Sequence, residues 1–540
     1  MKNDKKSVEK KPYLYNDHKA PVTRREFLAT GAIGMSTLAF TSGLSALLSP
    51  SNVFGQALTC GGKNLLCGNI PFLCIDGAGG MNIAGGNAIV GFASSEYQED
   101  FGTTLLSDYR RLGIHDNYHP TKSGMVNNIY GLKFHSTSGI LEGLDDVLAP
   151  REGEADLRQS VDGLILCALT ADDTGGNPLN TAYMAQKAGA IGDLVQLIGN
   201  VSTVSGGSSV APSDQVNLVL KPSYLTDFRS SESLLSIGDS IVGPKFLNST
   251  GPNGSSRLKS FMNIIQSAGQ GRLNELKSNP TRAAEVDLYL SKQSAAQNVF
   301  DRFSPAQLNP IKNTSDADVI KDVYDKMLLS NLTGGEENSA NILNLLTKRI
   351  AGAATITVGG CDYHNGTASA GHATDKQIGQ YIGYAIRMAA KRNVPIFIHL
   401  FTDGGVVGDA AGQVDPNMPT RTVWRSDSGE RSAALMFVFK PGKIRVSSGQ
   451  KGENSNFLLA NKTRQIGFFK QGGGVVLDAN SLANNSQKLW MGVILNYMAT
   501  QVHSTDDAEI VRIVGEQFRV KFGSLPNDWQ KFIRLKSLVA

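Results

Sequence analysis

Cysteine is scarce in this chain, with five residues in 540. No two stand at the close spacing of a zinc–thiolate site, which argues against that class of metal centre. Cys60 and Cys67 flank a Gly-rich loop and can pair in an oxidising compartment. Cys74 and Cys167 fall in apolar runs and read as buried, and Cys361 adjoins Asp362. The odd count leaves at least one thiol free. An excess of one charge is lacking too. The formal net charge of +4 comes from residues 1–57, which hold eight Lys/Arg against four Asp/Glu and leave 44 of each sign in the rest. No basic patch survives that subtraction, so nothing points to nucleic acid. Strongly apolar runs are missing as well. The longest mild one, 29–48, is broken by Gly, Ser and Thr, so no stable membrane span is expected after processing. There is no internal repeat.

What is present at the amino terminus is an export address. A Lys-rich stretch leads to Thr23-Arg24-Arg25-Glu26-Phe27-Leu28, then to the mild apolar run, then to small residues at Gly55-Gln56-Ala57. The twin arginine before Phe-Leu is the mark of the twin-arginine route, which carries cargo to the periplasm or beyond. Leu58-Thr59 lacks the small residue usual before a lipidated cysteine, which argues against a lipid on Cys60. The expected division is a signal peptide over 1–57 and one α/β domain over 58–540. Residues 200–350 form a loop-rich and helical insertion within that domain.

The remaining chain has ordinary globular composition, 41% hydrophobic and 19% charged, enough for a large core. Its centre is residues 353–409. A short β-branched strand, 354–358, stops at Gly359-Gly360 and delivers Asp362 and His364. A helix over about 373–391 follows, with Ile378, Ile382, Ala385, Ile386 and Ala389 on one face. A second strand, 394–401, is apolar nearly throughout, as a parallel strand covered on both faces should be. It delivers Thr402 and Asp403 into a Gly-rich turn. Upstream, the strand 71–76 ends in Asp76 and Gly-Ala-Gly-Gly. Asp76 reads either as a site residue or as a cap on its own turn. His115 and His119 lie in a polar stretch and read as surface residues. A helix is expected over 138–147, a buried strand over 161–169 and a helix over about 182–197. Thr181, at that helix start, is either a nucleophile or anion-site residue or a plain N-cap. Helices are expected at 258–268, 283–300, 319–329 and 340–350, a strand ending at Phe439, and one good helix in the tail, 487–501.

Ligands in open α/β sheets sit at the carboxyl ends of strands. Asp76, Asp362, His364, Thr402 and Asp403 all fall there, with His372 and Asp427 near in sequence. Carboxylates and imidazoles on one rim repel unless a cation sits among them. Two or more Asp with one or two His suits zinc or manganese, and a pair of such ions suits phosphoryl or sulfuryl transfer.

These residues carry a resemblance. Gly359-Gly-Cys-Asp-Tyr-His364 resembles the Gly-Gly-Trp-Asp-Thr-His motif of an exported bacterial family, domain of unknown function fifteen-oh-one. That family is similar in fold to the alkaline phosphatase and sulfatase superfamily. Asp76-Gly-Ala-Gly-Gly-Met-Asn82, Phe134-His135, Phe401-Thr-Asp-Gly-Gly405 and Asp427-Ser-Gly429 resemble further family segments in the same order, over most of 70–500. The resemblance implies a three-layer αβα sandwich with a mostly parallel sheet. It implies a metal-dependent hydrolase of a phosphate or sulfate ester, on a small molecule or a glycan. Asp76, Asp362, His364 and Asp403 are then the metal ligands, with Asp427 beside them and Thr181 as nucleophile. It also offers an exported partner protein. The departures are specific. Ser428 stands where the superfamily has His after Asp, Thr181-Ala182 stands for Ser-His, and Val406 stands for an arginine. His372 or His399 could supply the missing imidazole, although His399 lies inside an apolar strand and reads as a core residue. The alternative expectation is therefore a catalytically inactive relative, serving as a binding or envelope-assembly protein.

Overall fold

A computed structural model describes residues 69–91, 106–170, 181–192, 195–199, 314–364, 366–446, 455–477 and 489–540. The leader, Cys60, Cys67 and the expected helices at 258–268 and 283–300 lie outside them.

The strands of the main sheet are β1 (Phe72–Met81), β2 (Val161–Cys167), β3 (Val195–Gly199), β4 (Ala351–Val358), β5 (Ile396–Gly408), β6 (Trp424–Asp427), β7 (Ala433–Phe439) and β8 (Gln465–Ile466). Their order is β8-β2-β7-β5-β1-β4-β3, with β6 paired to the far end of β5. β1 lies parallel to both β4 and β5, and β3 to β4. β7 runs antiparallel between β5 and β2. The sheet is thus mixed but mostly parallel, and β1, β2 and β7 are buried along their whole length. Chains of apolar residues covered on both faces are what such a sheet requires.

Among the described residues, seven helices of seven residues or more accompany it: α1 (Gly139–Leu148), α2 (Ala182–Ala188), α3 (Thr314–Tyr324), α4 (Gly334–Thr347), α5 (Ala368–Lys391), α6 (Trp490–Thr500) and α7 (Asp507–Phe522). One group is built around α5, which packs on α1, α3 and α4 and on strands β1 and β5. The other joins α2, α6 and α7, with α2 against β1 and β4. The arrangement is compatible with a three-layer sandwich. α1 and α5 approach closely because glycines line the seam. A Cβ on Gly143 would lie 2.0 Å from the Lys376 carbonyl oxygen, and one on Gly379 2.2 Å from that of Ile140. Among the described residues, no helix is long and apolar enough to cross a membrane.

Several expectations are corrected. The helix expected over 182–197 ends at Ala188, and Val195–Gly199 is an edge strand on β4. A short apolar run does not distinguish helix from strand, and Gly189, at φ +117°, breaks the helix. The Gly-rich segment after Phe401 is not a turn. β5 continues to Gly408, because Gly404 and Gly405 pair with Gly80 and Met81, and 406–408 pair with β6. α5 begins five residues earlier than its apolar periodicity shows. His119 is buried, its ring edge-on to Tyr109 at 4.9 Å. The tail holds a second long helix, α7, capped by Asp506.

Candidate functional site

β1 and β5 run side by side through Asp76 and Thr402–Asp403, and their pairing shifts register between Gly77 and Gly80. That irregularity is the floor of the rim. Thr402 stitches it together, with its hydroxyl accepting from the Met81 N–H at 3.1 Å and donating to the Gly79 carbonyl. The Asp403 carboxylate accepts from the Gly79 N–H at 2.7 Å, and the Thr170 hydroxyl donates to the Asp403 carbonyl at 2.7 Å.

Two glycines are required here. Gly79 has φ +115°, and a Cβ on it would stand 2.5 Å from the Asp362 nitrogen. A Cβ on Gly80 would stand 2.6 Å from Cβ of Asp427. The bulge therefore accepts the Asp362 loop on one residue and the Asp427 strand on the next, which only glycine permits. The loop is held by backbone bonds, Cys361 N–H to Ala78 at 3.2 Å and Tyr363 N–H to Gly80 at 3.3 Å.

Asp76 and Asp403 form the buried heart of this arrangement, each about 1% exposed. Asp76 accepts from the Thr357 hydroxyl at 3.4 Å on one oxygen, and its Oδ1 finds no hydrogen-bond partner among the described residues. Burial, and then the neighbouring Asp403 charge, push its carboxyl well above the usual range; the Thr357 bond opposes this weakly. Asp362 and His364 instead face each other at the surface, Nε2 to Oδ2 at 2.9 Å. Asp427 is half-buried across from Val406. Thus Asp76, Asp403, Asp427 and the Asp362 loop all meet the Gly77–Gly80 bulge. Among the described residues, no three His, Cys, Asp or Glu side chains converge into a group that could hold a metal.

Thr181 and His372 are placed elsewhere. His372, on α5, bonds to Glu142 of α1 at 2.9 Å. Thr181 is fully buried, with its hydroxyl 2.9 Å from Nδ1 of His399. His399 sits opposite Cys74 in the β1–β5 register, two residues below Asp76. Burial alone lowers its pKa to about 3, so the imidazole is neutral, and the direction of the Thr181 bond depends on the tautomer. Burial, and then the Asp76 charge, raise the Cys74 thiol well above its usual value, so it stays protonated and unreactive. Among the described residues Cys74, Cys167 and Cys361 are all buried. In this arrangement Thr181 anchors the start of α2 to the sheet. Thr181→Val should cost about 1–3 kcal/mol in a denaturant melt, because it strands the buried imidazole, while Thr181→Ser should hold. A Thr181→Val protein with undiminished stability would refute the anchoring role.

Behind the Asp362 loop lies a buried polar network absent from the sequence reading. The Tyr363 hydroxyl donates to Asp375 at 2.8 Å, and its ring stacks on Trp424 at 5.4 Å. Asn87 donates to the other Asp375 oxygen at 2.7 Å. Arg421 donates to the carbonyls of Gly86 at 3.2 Å and Thr137 at 2.7 Å. Burial raises the Asp375 carboxyl to about 7, against the bonds from Asn87 and Tyr363 and the charge of Arg421. One signal could have found it: Asp375 stands on the apolar stripe of α5, in line with Ile378 and Ile382.

Compared with family models, curated proteins and solved structures, the chain matches none.

Proposed function

We propose that this is an exported, metal-dependent ester hydrolase of the alkaline phosphatase and sulfatase type, acting on a phosphate or sulfate ester of a small molecule or glycan. The observation that carries the reading is the Asp76–Asp403 pair: two carboxylates buried on adjacent parallel strands beside the Gly77–Gly80 bulge, one oxygen of Asp76 unpartnered among the described residues. Buried like charges are costly without a cation or a proton between them. Hard carboxylate oxygens fit manganese, and with imidazole nearby they fit zinc. Asp76 and Asp403 would hold the ion, with Asp362, His364 and Asp427 available from the surrounding rim. Such an ion supplies Lewis-acid polarisation of a phosphoryl or sulfuryl oxygen. The chain's own contribution is a rim of fixed carboxylates whose floor is pinned by Thr402 and Gly79.

A second reading, an inactive relative that binds or assembles with an exported partner, has its own support. Ser428 stands where the superfamily has an imidazole, and the Thr181 hydroxyl is spent on His399.

Elemental analysis of the mature protein, purified from periplasm without added metal, separates the two. Near-stoichiometric zinc or manganese, lost in Asp76→Asn and weakened in Asp362→Asn, is the expected result. A metal-free protein whose melting is unchanged by chelator would leave the binding role.

A further inference from the structure

The loop bearing Asp362 and His364 is anchored on the bulge through its backbone, by the N–H groups of Cys361 and Tyr363. Asp362 is exposed and His364 half-buried, and among the described residues their side chains bond to each other, Nε2 to Oδ2 at 2.9 Å. Tyr363, between them, points the other way. It is 1% exposed and lies against Trp424, and its hydroxyl stands 2.8 Å from Asp375 and 2.9 Å from the Gly371 carbonyl, the two acceptors sharing its one proton. Asp375 is held in turn by Asn87, whose side-chain oxygen accepts from Ser138 at 2.7 Å and from the Ile140 N–H at 3.1 Å. A chain of bonds therefore runs from the cap of α1, through α5, to the residue between the two rim groups.

We propose that Asp375 is a positioning residue: acting through Tyr363, it presses the loop onto Gly79–Gly80 and so sets where Asp362 and His364 stand relative to Asp76 and Asp403. This rests on the reading of the rim as a cation site. Asp375 touches neither rim side chain. Its role is that of the outer partners that orient ligands, whose removal typically weakens metal binding about 10- to 100-fold.

The test uses four variants of the full mature chain. Tyr363→Phe and Asp375→Ala break the link. Asp375→Asn preserves it, because the amide oxygen accepts from Asn87 while the amide nitrogen donates to the Tyr363 oxygen, whose own proton goes to Gly371. The bonds of Arg421 to Gly86 and Thr137 are untouched by that change. Val147→Ala, in the α1–α5 seam against Gly383, is a control for general loosening. Hydrogen exchange is read at the amides of Cys361 and Tyr363, and Mn2+ and Zn2+ affinity by calorimetric titration.

The expected result is faster exchange at both amides and about tenfold or greater loss of ion affinity in Tyr363→Phe and Asp375→Ala. Asp375→Asn and Val147→Ala should show neither. Unchanged exchange, or faster exchange with wild-type affinity, would overturn the positioning role. A wild-type protein that binds neither ion would instead overturn the reading of the rim, and with it any role for Asp375 in binding.

Discussion

Replacing Asp76 by Asn is expected to make the ion-free protein more stable, even though it removes a residue from the heart of the site. The carboxyl is buried, lies beside the Asp403 charge, and has one oxygen without a partner among the described residues. Its folded pKa is raised above the unfolded one. Between those two values the folded chain keeps a proton that the unfolded chain releases, so stability falls as pH rises through that window. Above it, the fold carries the full penalty of a desolvated charge. An amide has no proton to lose and does not repel Asp403. The stability difference between Asp76→Asn and the wild type should therefore be small near pH 4 and widen as pH increases, reaching about 1–3 kcal/mol. Adding Mn2+ or Zn2+ should reverse the order, because an ion that binds only the folded wild type stabilises it by mass action. Denaturant melts at several pH values, with and without ion, measure both effects. An Asp76→Asn protein less stable than wild type at pH 8 in chelator would mean that Asp76 is held by favourable bonds, and the case for a cation there would collapse.

The architecture was legible where chain pattern and burial agree. The strand through Asp76, the β-branched strand before Gly359 and the apolar strand through Phe401 are all real, because buried parallel strands need continuous apolar residues, although the first does not end at Asp76 but runs on to Met81. Strand ends were harder. Gly404-Gly405 looks like a turn locally, but partners remote in sequence, Gly80–Met81 and β6, draw it into the sheet. Val195–Gly199 looked helical for the same reason, since only its pairing with β4 decides its conformation. α7 carries a plain signal in the sequence, an Asp cap before Ile510, Ile513, Val514 and Phe518 at helical spacing.

For the site, the acids at strand ends could be gathered from sequence, because sheet topology alone brings them to one rim. Side-chain direction could not. Asp76 and Asp403 turn inward, Asp362 and His364 outward, and this depends on the bulge at Gly77–Gly80. Thr181 stands two residues below the rim because α2 begins against Cys74 and His399. His372 faces α1 because the Gly143 and Gly379 seam brings Glu142 within reach.

Arg464→Met is expected to be the most destabilising single change considered, and to leave the rim alone. Arg464 grips Asp162 with two bonds, Nε to Oδ1 at 2.8 Å and Nη2 to Oδ2 at 3.2 Å, and the Asp162 side chain has no solvent exposure. Without the guanidinium, Asp162 keeps the Gly163 N–H at 2.8 Å and the Ser455 hydroxyl at 3.2 Å, but its buried charge loses its bonded cation and is left with the weaker pull of Arg445 and Lys443. Breaking such a pair from one side costs about 3–5 kcal/mol. Most of that cost is the stranded charge, so adding Asp162→Asn to Arg464→Met should recover a large part of it, and a double-mutant cycle measures how much. Through Val438, Asp162 lies level with Phe397 on β5, about 20 Å along the strand from Asp403. Ion affinity below the unfolding transition should therefore match the wild type. If affinity fell in step with stability, the rim would depend on the whole sheet and not on its own pins at Thr402, Gly79 and Tyr363. If the double variant were no better than Arg464→Met, the grip would owe its strength to packing of the arginine stem, and the charge argument would be wrong.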